Sequence, residues 1–491
     1  MTTRFILCIL LFVIPSIAVP TLAQETTDST RKHPWWAAAE VTAVNGLIMA
    51  YDHLVIREPW YRVTMKDIKE NVQLRNWWWD TDYYHTNAIN HPYHGSLFYT
   101  AARDNGMTIG ESSLYALAGS LVWEVFCESE HPSINDLVTT AVGGIALGEP
   151  MHRISDGILD NRKRGLERIG RELLAFAVNP VKGLNRIIRG DSWRVSSSPD
   201  SKPNNSSPDS KPNNMKGGLE IGYGRQDIHN KSAINTAYAN INITYGDMMG
   251  TVGRRPFDYF TLNFTAVTGS SQPHINLVQV KSQLWCRPLS EEDKAVQTVF
   301  GIYHHYDYSS TTPEYHLSKG ASYMHPYGYL EIGSVGPGFG YRCGHQTRWE
   351  QQLFVNGIAL GATPTDCKHP ANARDRGYSF GSGYGARLSS TLEIGDWFAA
   401  RINGTFSQLF CWDGFYADDP DRKMTSAGYS VQGDEGNAVT LIAEPSIEIT
   451  PFRHFGIGIH GRYFWCHSNY KYHPHATTNS WELRAGARYS F

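Results

Sequence analysis

The sequence predicts an α+β multidomain protein: an all-α N-terminal domain followed by a C-terminal transmembrane antiparallel β-barrel of about twelve strands. Three observations predict it. Apolar and polar residues alternate with a period of two through much of the chain after Met215, as in strands with one face toward an apolar medium and the other toward a polar interior. The connections between these segments are alternately long and short. A duplicated polar stretch separates them from an upstream part whose periodicity is helical.

The chain opens with Arg4, an apolar run from Phe5 to Ile14 and small residues around Thr21-Leu22-Ala23. This reads as a secretory signal peptide over residues 1–23, cleaved before Gln24. No cysteine follows the cleavage site, so no lipoprotein anchor is implied. The longest later apolar run, Trp35 to Ile56, is broken by Glu40, Asn45 and Asp52-His53 and falls short of a membrane helix.

Residues 24–193 read as the helical domain. Thr64 caps a helix from Met65 to Arg75; a second runs from Ser96 to Asn105 and stops at Gly106; a third runs from Thr108 to Glu128. Ser133 with Asp136 forms a capping-box variant before Leu137 to Leu147. Thr140, Gly144 and Gly148 share one face of that last helix, so another helix can approach it closely.

Residues 194–214 form the linker. Between Ser197 and Asn214 the run Ser-Ser-Pro-Asp-Ser-Lys-Pro-Asn-Asn occurs twice in succession. With four prolines and no apolar residue it can bury nothing and is expected to be disordered.

Residues 215–491 form the barrel. Tyr384, Ala386, Leu388 and Leu392 alternate with Arg387 and Glu393; after Gly395-Asp396 the pattern resumes with Phe398, Ala400, Ile402 and Phe406 against Arg401 and Asn403. Val439 to Ile449 and Phe455 to Trp465 repeat it. Trp481, Leu483, Ala485, Ala487, Tyr489 and Phe491 oppose Glu482, Arg484, Arg488 and Ser490. Backward from Phe491, the connections expected are 468–479 long, 451–454 short, 412–435 long, 395–396 short, 362–376 long and 343–346 short. Short turns on one side and long loops on the other are the rhythm of outer-membrane barrels, with the long loops extracellular. An even strand count puts Met215 on the side of Phe491, which makes the helical domain periplasmic.

The last residues, Arg484 to Phe491, end in an aromatic two places before a terminal phenylalanine. This resembles the C-terminal signal by which bacterial outer-membrane barrels are recognised for insertion. The resemblance implies the barrel-assembly machinery as a partner through Tyr489 and Phe491, and the outer membrane as the destination.

A formal charge of -3 argues against a nucleic-acid partner. Apolar content of 41% with 12% aromatics and 45 glycines suits alternating strands and aromatic girdles better than a large soluble core. Cys127, Cys286, Cys343, Cys367, Cys411 and Cys466 show no CxxC pairing and no zinc-like spacing. No cofactor is implied.

One stretch of the helical domain concentrates unusual residues: Trp77-Trp78-Trp79-Asp80, His85, Asn87, His91-Pro92-Tyr93-His94-Gly95, Arg103, Trp123-Glu124, Glu128, Ser133, Asp136, Gly143-Gly144, Glu149 and Arg153. From Trp77 to Arg153 this resembles the bacterial domain-of-unknown-function family 3943. The resemblance implies an architecture and no chemistry.

Read physically, Ser120, Glu124 and Glu128 share one helical face in an apolar helix, so the glutamates need partners. Arg103, His91, His94 and Arg153 are available. The plain reading is a buried polar network. The catalytic alternative is a hydrolytic site from His91, His94, Glu124 and Asp136; the metal alternative takes ligands from His85, His91, His94, Glu124 and Glu128, although the HPYHG stretch is expected in a loop. His467-Ser468-Asn469 is discounted as a triad because its members are contiguous in an expected loop.

Tryptophan clusters at Trp35-Trp36, Trp60-Tyr61 and Trp77 to Trp79 suit either a core or a membrane interface. Arg162, Lys163, Arg164, Arg168, Arg171, Lys182, Arg186, Arg189 and Arg194 outnumber the nearby acids, and basic amphipathic helices bind anionic lipid. The function these features favour is a non-enzymatic role in envelope structure, lipid contact or docking of a periplasmic protein partner. The rivals are an outer-membrane lipid-modifying hydrolase and a small-solute pore, whose selectivity Arg387, Glu393, Arg401, Glu444, Glu448, Arg462, Glu482, Arg484 and Arg488 would set.

Overall fold

The computed structural model describes residues 32–57, 62–73, 76–80, 82–195, 215–228, 233–250, 255–269, 274–290, 295–310, 328–365, 377–415, 431–472 and 474–491. The signal peptide, the duplicated linker, Arg75, Trp60-Tyr61 and Cys367 lie outside the described residues.

Among the described residues, seven α-helices precede the strands: α1 Pro34–Tyr51, α2 Met65–Asn71, α3 His91–Asp104, α4 Ile109–Phe126, α5 Ile134–Ile158, α6 Gly165–Val178 and α7 Pro180–Arg189. Capping chemistry sets three of the starts. The Thr64 and Thr108 hydroxyls accept from the backbone of Asp67 and Glu111, whose carboxylates reach back to the capping residues. Ser133 accepts from the Asp136 backbone.

Three expectations are corrected here. The HPYHG stretch is helix, not loop: a π-helical turn, Thr86–Asn90, leads directly into α3, and Pro92 sits where its missing N–H costs nothing. Helix α2 stops at Asn71, whose side chain turns to the Glu128 carbonyl at 3.1 Å. Helix α5 continues past Leu147 and through Pro150. Proline leaves one helical carbonyl without its bond, but the charged residues on either side are tied down by ion pairs described below.

The chain divides into two compact units. The helical unit contains Asn87–Met215 and the helices before Asp80; the barrel unit contains Lys216–Phe491 and the short segment Asp80–Thr86.

Twelve antiparallel strands close the barrel: β1 Met215–Ile228, β2 Ile234–Tyr245, β3 Phe260–Thr268, β4 His274–Pro288, β5 Val296–Ser309, β6 Tyr329–Cys343, β7 Thr347–Pro364, β8 Tyr378–Ile394, β9 Phe398–Cys411, β12 Gly436–Phe452, β13 Phe455–Tyr470 and β14 Ala476–Ser490. The two-residue strands β10 Gly414–Phe415 and β11 Gly433–Asp434 pair within the long connection after β9. Each barrel strand neighbours the next along the chain, and β14 returns to β1 with Leu219 opposite Tyr489. Phe491 finishes the seam by exchanging two backbone bonds of 3.0 Å with Gly217.

Faces follow the alternation. Trp481, Leu483 and Tyr489 are exposed outward while Glu482, Arg484 and Arg488 are buried inward; Leu388, Ile402, Leu441 and Ile457 are also outward and exposed. The rhythm of connections departs from expectation after β13, and farther back it fades, residues 229–233 and 269–273 being short on the long-loop side. Strands β13 and β14 run on until only residues 471–475 separate them. The β2–β3 connection, at the end of the short turns, is long because it is used for packing. Its Met248, Met249 and Tyr259 cluster with Val299, Tyr303 and Phe354, Asp247 takes Arg342 at 2.7 Å, and a Cβ on Gly340 would lie 2.8 Å from the Met249 methyl.

Candidate functional site

The helical unit concentrates charge in its core, and the α3–α5 crossing decides where. A Cβ on Gly95 would sit 1.7 Å from the Thr140 carbonyl oxygen, and one on Gly144 would sit 2.5 Å from the Gly95 carbonyl carbon. Backbones this close bring Arg103 and Asp104, at the end of α3, against Glu149, His152, Arg153 and Asp156 on α5.

Two adjoining networks result. Arg103 Nε and Arg153 Nε each donate to Glu149 at 2.8 Å, and the Tyr99 hydroxyl donates to the same carboxylate at 2.8 Å. Burial alone would raise the Glu149 carboxyl; Arg103 and Arg153 outweigh it and hold the group down at about 2. Beside this, His152 Nδ1 lies 3.0 Å from Asp104 Oδ1, and Lys182 Nζ lies 3.3 Å from the same oxygen while pairing with Asp156. Here too burial opposes ionisation of Asp104, and Lys182 and His152 bring its carboxyl below the usual range.

The residues singled out from sequence fall into separate settings. His91 Nε2 faces Asp136 Oδ1 at 3.3 Å, both buried. His94 occupies an aromatic slot, its ring 4.5 Å from Phe98 and 4.9 Å from Trp123; burial, then the neighbouring His91, push it down to about 3. Glu124 accepts the Ser133 backbone N–H at 2.7 Å, and Glu128 accepts the Trp123 indole N–H at 2.6 Å. His85 belongs to the barrel unit, edge-on to Tyr308 at 6.3 Å.

The structure therefore brings His91 to Asp136 and engages His94, Glu124 and Glu128 elsewhere. Among the described residues, none of His85, His94, Glu124 and Glu128 joins a group of three side chains able to hold a metal ion. Arg103 and Arg153, expected to serve Glu124 and Glu128, serve Glu149 instead. The Asp104, His152, Lys182 and Asp156 cluster was not anticipated. Its one visible signal is the i, i+4 spacing of His152 with Asp156, as that of the adjoining network is the spacing of Glu149 with Arg153.

The tryptophans divide as well. Trp35 and Trp36 are exposed, whereas Trp78 and Trp79 are buried. Cys127 is a free, buried thiol that burial pushes up to about 11, which disfavours the thiolate. His467 and Asn469 lie on strand β13, not in a loop, and bond to each other at 3.0 Å.

Within the barrel unit, Asp82 and Tyr84 lie against the barrel strands. Tyr84 stacks on Tyr308 with centroids 5.5 Å apart and donates to the Ser309 carbonyl at 3.2 Å; the Tyr378 hydroxyl donates to the Asp82 carbonyl at 2.6 Å. Tyr84 also meets the Tyr378 ring at 5.4 Å, so it bridges β5 and β8, and all three rings are buried. The contact is near the end from which the long connections leave.

The barrel interior is crossed by polar side chains. Gln279 on β4 donates to Glu444 on β12 at 3.2 Å, and Arg462 on β13 donates to Ser309 on β5 at 3.0 Å. In both cases six steps of the strand order separate the partners, half-way round the ring. Arg462 also donates to Glu444 at 2.5 Å, joining the two crossings into one bridge. Arg387 adds a second knot with Asp307 at 2.5 Å and with Glu331.

Comparison with known proteins gives one family match. Residues 76–181 match the Domain of unknown function (DUF3943). The match extends past the Trp77 to Arg153 stretch into α7. The comparison with curated proteins returns no match. Among solved structures, the chain is similar to the NanC porin (10% identity, TM-score 0.25, 55% of this chain and 98% of that one). It is also similar to the CymD monoaromatic hydrocarbon channel (9% identity, TM-score 0.23, 56% and 88%) and to OmpT, an outer membrane protein of Vibrio cholerae (7%, TM-score 0.21, 56% and 96%). At these scores the likeness carries no role across.

Proposed function

We propose that this is an integral outer-membrane protein whose sealed barrel anchors a helical domain, with a structural role in the cell envelope. The observation that carries this reading is the bridge Gln279–Glu444–Arg462–Ser309, which ties opposite walls together where a solute path would run. Side chains that hydrogen-bond from opposite walls, braced by the Arg462–Glu444 ion pair on neighbouring strands, fill the cross-section that a solute would need. The outward apolar residues and the seam at Phe491 support membrane insertion, through the assembly machinery that reads Tyr489 and Phe491.

Reconstitution in planar phospholipid bilayers tests the reading. The wild-type protein is expected to give no steady unitary conductance, and regular open levels would return it to the pore class.

Strand parity from Met215 supports a periplasmic helical domain. An epitope inserted between residues 205 and 206 of the linker should then stay hidden on intact cells while one in the 412–435 connection is labelled. Labelling of the linker would reverse that assignment and would fit the packing of Tyr84 near the long-loop end.

The hydrolase reading keeps one observation in its favour, the His91–Asp136 pair. Ser133, the nearby hydroxyl, is occupied as the cap of α5. Turnover of a phospholipid ester by wild type and its loss in His91→Asn would promote that reading.

A further inference from the structure

Helices α6 and α7 are built inside out. On α6 the buried positions are Arg168 and Ala175, with Glu172 beside them, while Leu166, Leu173 and Leu174 are 86%, 66% and 55% exposed. On α7 the buried positions are Lys182, Gly183 and Arg186, while Leu184, Ile187 and Ile188 are exposed. Sequence reasoning expected these cations on an outward basic face; instead they are inside and paired. Arg168 and Arg186 meet Glu172 at 2.8 and 2.7 Å, and both guanidinium groups bond to Asn161.

A helix in water buries its apolar stripe and leaves charge outside. This pair does the reverse. Charges that are paired within the protein and side chains that are bare outside describe an element whose surroundings are apolar.

The ends of the pair say which apolar medium. Arg162, Lys163 and Arg164 precede α6, and Arg194 follows α7; all have exposed or half-exposed side chains, and although Arg162 pairs with Asp160, Lys163 with Glu167 and Arg194 with Asp191, these cations and Arg171 outnumber those three acids. Glu167, the exposed acid on α6, is already shared between Lys163 and Arg171. A protein partner or a second copy would cover the leucines but leave the surplus of cations at this edge, Arg164 foremost, to find acids. A phospholipid leaflet supplies acyl chains for the stripe and phosphates for the rim together.

We propose that α6 and α7 lie in the surface of a phospholipid leaflet, with Leu166, Leu173 and Ile188 among the acyl chains and Arg164 and Arg194 at the headgroup phosphates. This rests on the membrane reading of the chain, so a barrel position serves as control. The full-length protein is reconstituted in phosphatidylethanolamine and phosphatidylglycerol vesicles with p-acetylphenylalanine replacing, one at a time, Leu173, Ile188, Arg164 or Leu388, each then carrying a nitroxide. Unchanged far-UV circular dichroism establishes that each variant is folded. Accessibility to oxygen and to a water-soluble nickel chelate is read by electron paramagnetic resonance.

The labels at 173 and 188 are expected to match the one at 388, favouring oxygen over nickel, while the label at 164 favours nickel. Nickel access at 173 and 188 equal to that at 164 would overturn the proposal, as would exclusion of both reagents, the signature of a protein partner or second copy. Nickel access at 388 as well would overturn the membrane reading along with it.

Discussion

Gln279 and Glu444 hydrogen-bond from opposite sides of the barrel, 3.2 Å apart although six strand steps separate them. That contact requires the interior to be narrow enough for two medium side chains to meet, and it makes the neighbouring charges interdependent. Arg387 depends on this most, because it faces both Asp307 and Glu331. Replacing it with methionine should lower barrel stability by about 3–5 kcal/mol, since two buried carboxylates would lose their shared cation. Loss of heat-modifiable mobility at a lower temperature on gels would show it. An unchanged transition would mean that the interior is wetter than the contacts imply.

Glu149→Gln should destabilise the helical unit by a similar amount, about 3–5 kcal/mol. The variant keeps the shape but removes the buried carboxylate charge that Arg103 and Arg153 share. Far-UV circular dichroism of the full-length protein follows it, because the helical signal should melt earlier than in wild type. Glu167→Gln, on the exposed face, is the comparison and should change little.

Acid should weaken the helical unit in two stages. His94 titrates near 3 when folded against an ordinary value of 6.5, so between those values the unfolded chain binds the extra proton and stability falls as pH is lowered. Glu149, depressed to about 2 from 4.5, adds loss of the same sign below about pH 4.5. The helical melting temperature should therefore start to fall below about pH 6.5. His94→Gln should remove the first stage and leave the second. A wild-type melt flat down to pH 4.5 would contradict the burial of a neutral His94.

Glycines separate packing from freedom. Gly95→Ala would drive a methyl into the Thr140 carbonyl and should cost at least about 1–3 kcal/mol. Gly170→Ala, with nothing within 4 Å, should stabilise α6 by about 0.5–1 kcal/mol. Opposite shifts of the helical melting transition are expected; equal shifts would deny the close α3–α5 crossing.

Removal of Phe491 deletes its two backbone bonds to Gly217 and the ring that packs over that glycine. Export should persist while the protease-resistant barrel is lost from the outer membrane. Recovery of a resistant barrel from cells expressing the truncated chain would refute the part assigned to the terminus.

The barrel was legible in the sequence because strand alternation is local: whether Trp481, Leu483 and Tyr489 face out follows from their spacing alone, and the medium outside rewards one face over the other. Capping at Thr64 and Ser133 was legible for the same reason, since donor and acceptor lie three residues apart; Thr108 caps α4 with the same spacing although it was expected inside that helix. The partner of each buried charge was not. Arg103 reaches Glu149 across forty-six residues, and Lys182 reaches Asp104 only because α3, α5 and α7 converge. Nor could spacing reveal that α6 and α7 turn their cations inward. An amphipathic pattern says that a helix has two faces; which face is buried depends on what the rest of the chain, and the medium around it, offer to each.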